Sequence, residues 1–252
     1  MTTLNLLIGF LILFLLYQLA EANGQDLLRL PGKPYSILLL FLLVIPAAGL
    51  VARWQNNSGL ASYGMGLHTG WWQNYLFGVG LGLIILTILE YIGIRFGVRH
   101  ASNFHFSWRT LAAGILWVLF TNFPAAAGED LITRGYLWRF MQTSPLLVFV
   151  LFSSLLYTFN HLIRLLTRPV TDWYHLPFLG ITLAYALYQT GSLWFVIGLH
   201  QSGNVIYHLM NQMMDINNTT NIKKRILFGA LCELIMLTVV VLAVRQANMA
   251  AP

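Results

Sequence analysis

Long apolar stretches recur along the whole chain and constrain its fold more than any other feature. We interpret eight of them as membrane spans, at 4–20, 35–52, 75–94, 111–140, 145–163, 176–190, 192–211 and 226–244, because a spanning helix needs about 17–25 mostly apolar residues. Only 9% of the 252 residues are charged, against about 25% in soluble domains. The pattern predicts an all-α, polytopic transmembrane bundle of about eight helices, with residues 1–252 forming a single integral membrane domain.

Two of these stretches depart from the length of a simple span. The stretch 111–140 is too long for one straight span, so it is either one tilted helix or a helix followed by a kinked piece. Pro124 and the small residues 125–128 favour a local bend there. The stretch 176–190 is short, and the Gly191-Ser192 pair after it predicts a tight turn and a helical hairpin.

Lys and Arg are distributed unevenly between the two sides of the predicted bundle. Ten of them follow odd-numbered spans and four follow even-numbered spans. The positive-inside rule therefore places the first group in the cytoplasm and both termini outside. We expect a multi-pass protein of a bacterial plasma membrane whose basic loops contact anionic lipids, and we exclude nucleic acid as a partner because no basic segment is interleaved with aromatic residues.

Three polar spots interrupt the later apolar stretches. They are the run 128–134 (Gly-Glu-Asp-Leu-Ile-Thr-Arg), the single residue His161, and the pair His200 and Asn204. Ionisable groups at membrane depth are costly, so they usually face a cavity and have a function. At about 1.5 Å of rise per residue, all three spots fall in the middle or cytoplasmic half of a core about 30 Å thick. We therefore predict one shared intramembrane site.

The spacing within the first polar spot separates two acidic residues by role. Asp130 and Arg134 are four residues apart and share a helix face, with the acid N-terminal to the base, which favours an ion pair. Glu129 points about 100° away, at 3.6 residues per turn, and keeps its carboxylate available. Alternatively, all three residues form a structural salt-bridge cluster between helices.

The remaining polar residues complete a set that fits hydrolysis. His200 and Asn204 lie one turn apart and can donate to one point, which suits an oxyanion or a metal, although such a pair also stabilises helix packing. Glu129 is the predicted general base, with His161 sharing or orienting a water molecule. Glu129, His161 and His200 also form a plausible zinc set, but the sequence has no HExxH motif.

The three motifs resemble the CPBP family of intramembrane proteases, also described as CAAX prenyl protease, bacteriocin-processing or Abi-type. Its pattern is Glu-Glu-x-x-x-Arg, Phe-x-x-x-His and His-x-x-x-Asn, and the chain has Glu129-Asp130-x-x-x-Arg134, Tyr157-x-x-x-His161 and His200-x-x-x-Asn204. The resemblance implies an eight-helix fold, with a catalytic core at 111–211 and accessory helices within 1–94. It also implies a metal-free glutamate mechanism in preference to a metal-dependent one.

The resemblance assigns roles to the matching residues. It implies that Glu129 and His161 activate water and that His200 and Asn204 stabilise the oxyanion, while Arg134 gives structural support. Two positions depart from the family pattern. Asp130 replaces the second Glu, which keeps the charge on a shorter arm and fits an anchoring role, and Tyr157 replaces Phe and adds a hydroxyl. Neither change removes the inferred base, so we expect an active enzyme.

The expected function is therefore an intramembrane endopeptidase that acts on CAAX-like C-terminal tails, peptide precursors or other membrane-associated protein substrates. No cofactor is favoured, and zinc is the alternative. A non-catalytic membrane protein that binds peptides, or a bacteriocin-immunity protein, would use the same polar groups without hydrolysis. A transporter that uses Glu90, Glu129 and Glu233 as proton or cation carriers is a third hypothesis. Glu90 and Glu233 are isolated acids in their spans, which argues against it.

Overall fold

A computed structural model describes residues 2–103, 107–166 and 175–250 of the chain. The helices are α1 (Thr3–Gly24), α2 (Lys33–Trp54), α3 (Trp71–Arg95), α4 (Trp108–Asp130), α5 (Tyr136–Met141), α6 (Leu146–Asn160), α7 (Leu162–Leu165), α8 (Leu176–Thr190), α9 (Leu193–Met213) and α10 (Ile222–Ala250). A 3₁₀ turn covers Gly59–Tyr63, a π-helical turn covers Leu131–Gly135, and two short strands are β1 (Arg99–Ser102) and β2 (Asp215–Asn218). Arg168, which entered the topology prediction, lies outside the described residues.

Each of the eight predicted stretches is helical, which confirms the all-α polytopic bundle. Five helical segments of the described ranges are long and apolar enough to cross a membrane: Thr3–Gly24, Lys33–Trp54, Trp71–Arg95, Leu111–Met141 and Ile222–Gln246. The chain is therefore an integral membrane protein. The helix at Leu146–Asn160 is apolar but shorter, and α8 has only 15 residues.

Helix α9 occupies the centre of the bundle rather than the lipid boundary. Twelve of its 21 residues are buried, including His200, Gln201 and Ser202. It crosses α3 at two glycines: a Cβ at Gly198 would overlap the backbone oxygen of Tyr75, and one at Gly78 would overlap that of Phe195. Because these positions lack side chains, the two backbones approach closely and set the position of α9 within the bundle.

The long stretch 111–140 forms a helix that changes type near its polar residues. Helix α4 continues through Pro124, and the irregular part is the π-helical turn Leu131–Gly135 that joins α4 to α5. The hydroxyl of Thr133 donates to the carbonyl of Glu129 at 2.7 Å, which supports the chain at this turn. The α-helix is therefore uninterrupted at Pro124 and residues 125–128, where we predicted a local bend, and it changes type just after them. Such π-helical turns are often found at functional sites.

A two-stranded antiparallel ribbon was not predicted from the sequence. Strand β1 pairs with β2 in the register Arg99↔Asn218 to Ser102↔Asp215. The ribbon links the loop after α3 with the loop before α10. Its strands have four residues each, too few for alternation to be recognised in sequence, and their partners are far apart in the chain.

Candidate active site

The structure brings the four predicted site residues to one cavity. Glu129 is at the end of α4, His161 follows α6, and His200 and Asn204 are one turn apart on α9. All four line a cavity of about 380 Å³ between the helices. Glu129, His161 and His200 are 4%, 5% and 9% exposed, so their polar groups meet in a largely enclosed space.

The two oxygens of the Glu129 carboxylate have different surroundings. Oε1 accepts a hydrogen bond from Asn160 Nδ2 at 3.0 Å and lies 3.4 Å from His161 Nδ1. Oε2 lies 3.7 Å from His200 Nε2, which is too long for a direct hydrogen bond. Among the described residues, Oε2 has no hydrogen-bond donor. Oε1 is therefore held by a hydrogen bond within the protein, whereas Oε2 is not.

The hydrogen bond of His161 determines which of its nitrogens carries hydrogen. Its Nδ1 lies 2.9 Å from the backbone oxygen of Tyr157. A carbonyl oxygen only accepts, so Nδ1 must donate. In the neutral ring, Nε2 is then the basic nitrogen. The Tyr157 ring meets the imidazole edge to face, with 4.8 Å between the ring centres, and restricts its rotation.

Asp130 connects the first motif to the third. One of its oxygens forms the expected ion pair with Arg134, and the other lies 3.1 Å from His200 Nδ1. An ionised carboxylate only accepts, so His200 donates through Nδ1 and turns Nε2 toward Glu129. The Arg134 guanidinium stacks over the Tyr157 ring at 4.4 Å, which gives its buried charge a second partner.

Asn204 lines the cavity but forms no described contact with Glu129. It is half-buried on α9, one helical turn after His200 and on the same side of the helix. This position suits a donor to a bound carbonyl, and the oxyanion role of Asn204 stays a prediction.

Helix α1 contributes polar residues near the site that the sequence analysis did not identify. Gln18 donates to Asn160, and Glu21 forms a two-bond ion pair with Arg164 at 2.6 and 2.9 Å. Arg164 was counted only as a loop cation, but it lines the cavity. The available signal was the presence of Gln18 within the apolar span 4–20, of Glu21 directly after that span, and of Asn160 directly before His161.

Glu90 and Glu233 are isolated acids only along the sequence. Both line the same cavity as Glu129, and Glu90 forms an ion pair with Arg99 of β1 at 3.0 Å. The sequence does not show this grouping, because the three acids lie on separate helices and only packing places them around one space. Because all three acids line one cavity, their separation along the sequence does not count against a transporter.

The zinc hypothesis required Glu129, His161 and His200 as ligands. Within the described ranges, no group of three or more His, Cys, Asp or Glu side chains has the geometry to hold a metal ion. Glu129 Oε1 is instead engaged by an amide, and both imidazoles use Nδ1 within the protein. In this arrangement, Glu129, His161 and His200 do not form a zinc site.

Comparison with known proteins identifies a family match across this site. A family model described as type II CAAX prenyl endopeptidase Rce1-like matches residues 111–206. The matched segment contains all three polar motifs, and it confirms the resemblance to the CPBP family of intramembrane proteases. At the family level, the match supports a CAAX-type endopeptidase. No curated protein and no solved structure is significantly similar to the chain.

Proposed function

We propose that this membrane protein, matched at residues 111–206 to the Rce1-like type II CAAX prenyl endopeptidases, is an intramembrane endopeptidase with a glutamate mechanism. The observation that supports this most is the position of Glu129, whose carboxylate faces two imidazoles in a cavity between membrane helices. A buried acid surrounded by nitrogen donors is costly to maintain for packing alone.

In the proposed reaction, Glu129 is the general base. Its less engaged oxygen, Oε2, takes a proton from a water molecule in the cavity, and the water oxygen attacks the carbonyl carbon of the scissile bond. Asn160 holds the other oxygen, Oε1, by a hydrogen bond, so that the carboxylate keeps its orientation during proton transfer. Glu129 then returns the proton to the leaving nitrogen as the C–N bond breaks, which gives a new carboxyl group and a free amine.

His200 and Asn204 stabilise the oxyanion in this proposal. With Nδ1 donating to Asp130, His200 donates to an oxyanion through Nε2 when the ring is protonated. Asn204 donates from its amide one turn further along α9. Donors that are held in place before the reaction stabilise the developing charge at little reorganisation cost. Asp130 and Arg134 support this arrangement without contacting the substrate.

The cavity also limits the kind of substrate. Its volume of about 380 Å³ is enough for a few residues of extended peptide and too small for a folded domain. We propose that the substrates are CAAX-like C-terminal tails or other flexible segments that are anchored at the membrane. With the topology predicted from the basic loops, these substrates approach from the cytoplasmic side.

The experiment is cleavage by purified protein in lipid nanodiscs. A farnesylated CAAX peptide and a pool of unprenylated peptides are incubated with the wild type, Glu129→Gln and His161→Ala variants, and with wild type treated with a metal chelator. We expect cleavage by the wild type, with and without chelator, and none by Glu129→Gln. Loss of activity in chelator that zinc restores would overturn the metal-free mechanism.

Two other functions predict different outcomes with the same purified protein. Binding of the peptides without cleavage by the wild type would favour a peptide-binding or immunity protein. A transporter is supported by the common cavity of Glu90, Glu129 and Glu233. It predicts proton or cation flux in proteoliposomes that Glu233→Gln abolishes, whereas the proposed protease gives no such flux.

A further inference from the structure

A buried chain of hydrogen bonds leads from the N-terminal helix to the carboxylate of Glu129. Gln18 of α1 donates from Nε2 to Asn160 Oδ1 at 2.8 Å. Asn160, the last residue of α6, donates from Nδ2 to Glu129 Oε1 at 3.0 Å. Asn160 is 1% exposed and Gln18 is also buried, so water competes little for either bond.

The direction of every bond in this chain follows from the groups involved. An ionised carboxylate only accepts, so the Asn160 amide must turn its nitrogen toward Glu129 and its oxygen toward Gln18. Gln18 Nε2 donates both to that oxygen and to the Asn160 backbone oxygen, the latter at 3.0 Å. The Asn160 amide would therefore lose both of its contacts if it rotated by half a turn.

A second contact fixes α1 against the same part of the site. Glu21, one turn after Gln18, accepts two hydrogen bonds from Arg164, which follows His161 in the chain. The Tyr17 hydroxyl donates to Glu21 at 3.3 Å. Helix α1 thus contacts the chain before and after His161, so its position relative to Glu129 is well defined.

We propose that Asn160 and Gln18 are positioning residues that orient Glu129 for proton transfer, and that α1 is part of the active site although it lies outside the matched segment 111–206. Asn160 engages Oε1 and thereby turns Oε2 toward the cavity and His200. Gln18 prevents rotation of the Asn160 amide. This inference rests on the proposed proteolytic function of the same site.

The first test is kinetic. Asn160→Ala removes one hydrogen bond to a charged group, and we expect kcat to fall about 10- to 100-fold with KM within about twofold of wild type. Gln18→Leu leaves the amide free to rotate and should lower kcat less. Gln18→Glu offers an acceptor in place of a donor, so it draws the Asn160 nitrogen away from Glu129 and should match or exceed the loss in Asn160→Ala.

The chain offers a closely matched control in Gln55. This buried glutamine also donates from Nε2 to one backbone oxygen, of Asn5 at 3.0 Å, and to one side chain, Tyr136 at 2.8 Å. It lies outside the cavity described above. Gln55→Leu should therefore lower thermal stability as Gln18→Leu does, while kcat stays within about twofold. Equal losses of kcat in the two variants would overturn the proposal.

A double variant and a spectroscopic measurement separate this inference from the proposed function. In an Asn160→Ala background, Gln18→Leu should cause no further loss of kcat, whereas independent structural roles would add. The carboxylate stretching band of Glu129, identified in isotope-edited infrared spectra by its loss in Glu129→Gln, should shift in Asn160→Ala and Gln18→Glu but not in Gln55→Leu. Failure of the wild type to cleave peptides would contradict the proposed function, while the band would still report whether Asn160 and Gln18 orient the Glu129 carboxylate. An unchanged band would contradict the positioning role.

Discussion

His200 Nδ1 lies 3.1 Å from Asp130 Oδ2, while the other oxygen of Asp130 is paired with Arg134. A single buried carboxylate therefore balances the charge of an arginine and sets the orientation of an imidazole. Asp130 occupies the position of the second Glu in the family motif. Its shorter arm still reaches both partners, Arg134 one turn later along the chain and His200 on α9.

Removing Asp130 should cost stability and activity, and only stability should be recoverable. Asp130→Leu leaves the fully buried Arg134 without its carboxylate, which typically costs about 3–5 kcal/mol. In the double variant Asp130→Leu/Arg134→Leu, the charge is gone and most of the thermal stability should return. The double variant should remain inactive because His200 has lost its acceptor.

The check is thermal unfolding in detergent together with peptide cleavage for both variants. Recovery of both stability and cleavage in the double variant would contradict the anchoring of His200 by Asp130.

Asn204 should affect the rate of cleavage and leave the binding of substrate largely unchanged. Loss of one oxyanion donor typically lowers kcat by about 10²- to 10³-fold, and we expect Asn204→Ala to fall in this range. Asn211→Ala on the same helix is the control, because Asn211 is exposed and donates only to the Tyr207 backbone oxygen. Steady-state kinetics of the two variants provide the measurement. An equally small change of kcat in Asn204→Ala and Asn211→Ala would contradict a role of Asn204 in the mechanism.

The close crossing of α3 and α9 should not tolerate a methyl group. A Cβ at Gly198 would overlap the Tyr75 backbone oxygen, so Gly198→Ala should force the helices apart at a cost of about 1–3 kcal/mol. Because His200 is two residues away, cleavage should fall as well. Gly80→Ala on α3 is the control, since a Cβ there has no described atom within 4 Å. This variant should keep or gain stability, because alanine favours a helix by about 1 kcal/mol relative to glycine. Unfolding temperatures and cleavage rates that are alike for both variants would contradict this packing argument.

The predicted topology can be measured with single cysteines. Cys232 is the single cysteine of the chain, so Cys232→Ser provides a cysteine-free background. Asp26→Cys, in the basic loop after α1, should react with a membrane-impermeant thiol reagent only from the cytoplasmic side. Ser58→Cys, in the loop after α2, should react from the outside, since the ten-to-four distribution of basic residues places it there. Labelling of both sites from one side would show that the span count behind the prediction is wrong.

The family resemblance could be recognised and the membrane fold predicted from the sequence, because both depend on residues that are close together in the chain. A helix that spans a membrane forms the hydrogen bonds of its backbone within its own segment. A sufficiently long apolar stretch is therefore enough to indicate one. The ion pair of Asp130 with Arg134 and the shared side of His200 and Asn204 follow from residues one turn apart. These pairs needed no knowledge of how helices pack.

The contacts that complete the candidate site join residues far apart in the chain. Asn160 with Gln18 and His200 with Asp130 are pairs between different helices. The grouping of Glu90 and Glu233 in the cavity of Glu129 was missed for the same reason.

From the sequence alone, the chain had to be a helical membrane protein with three polar spots at a similar depth, because hydrophobic length and helical spacing are properties of neighbouring residues. The tertiary structure decided which oxygen of Glu129 is held and which faces the cavity, and it brought α1 to the site. These relationships depend on how closely helices approach, and that approach is set by glycine contacts and buried hydrogen bonds between distant segments.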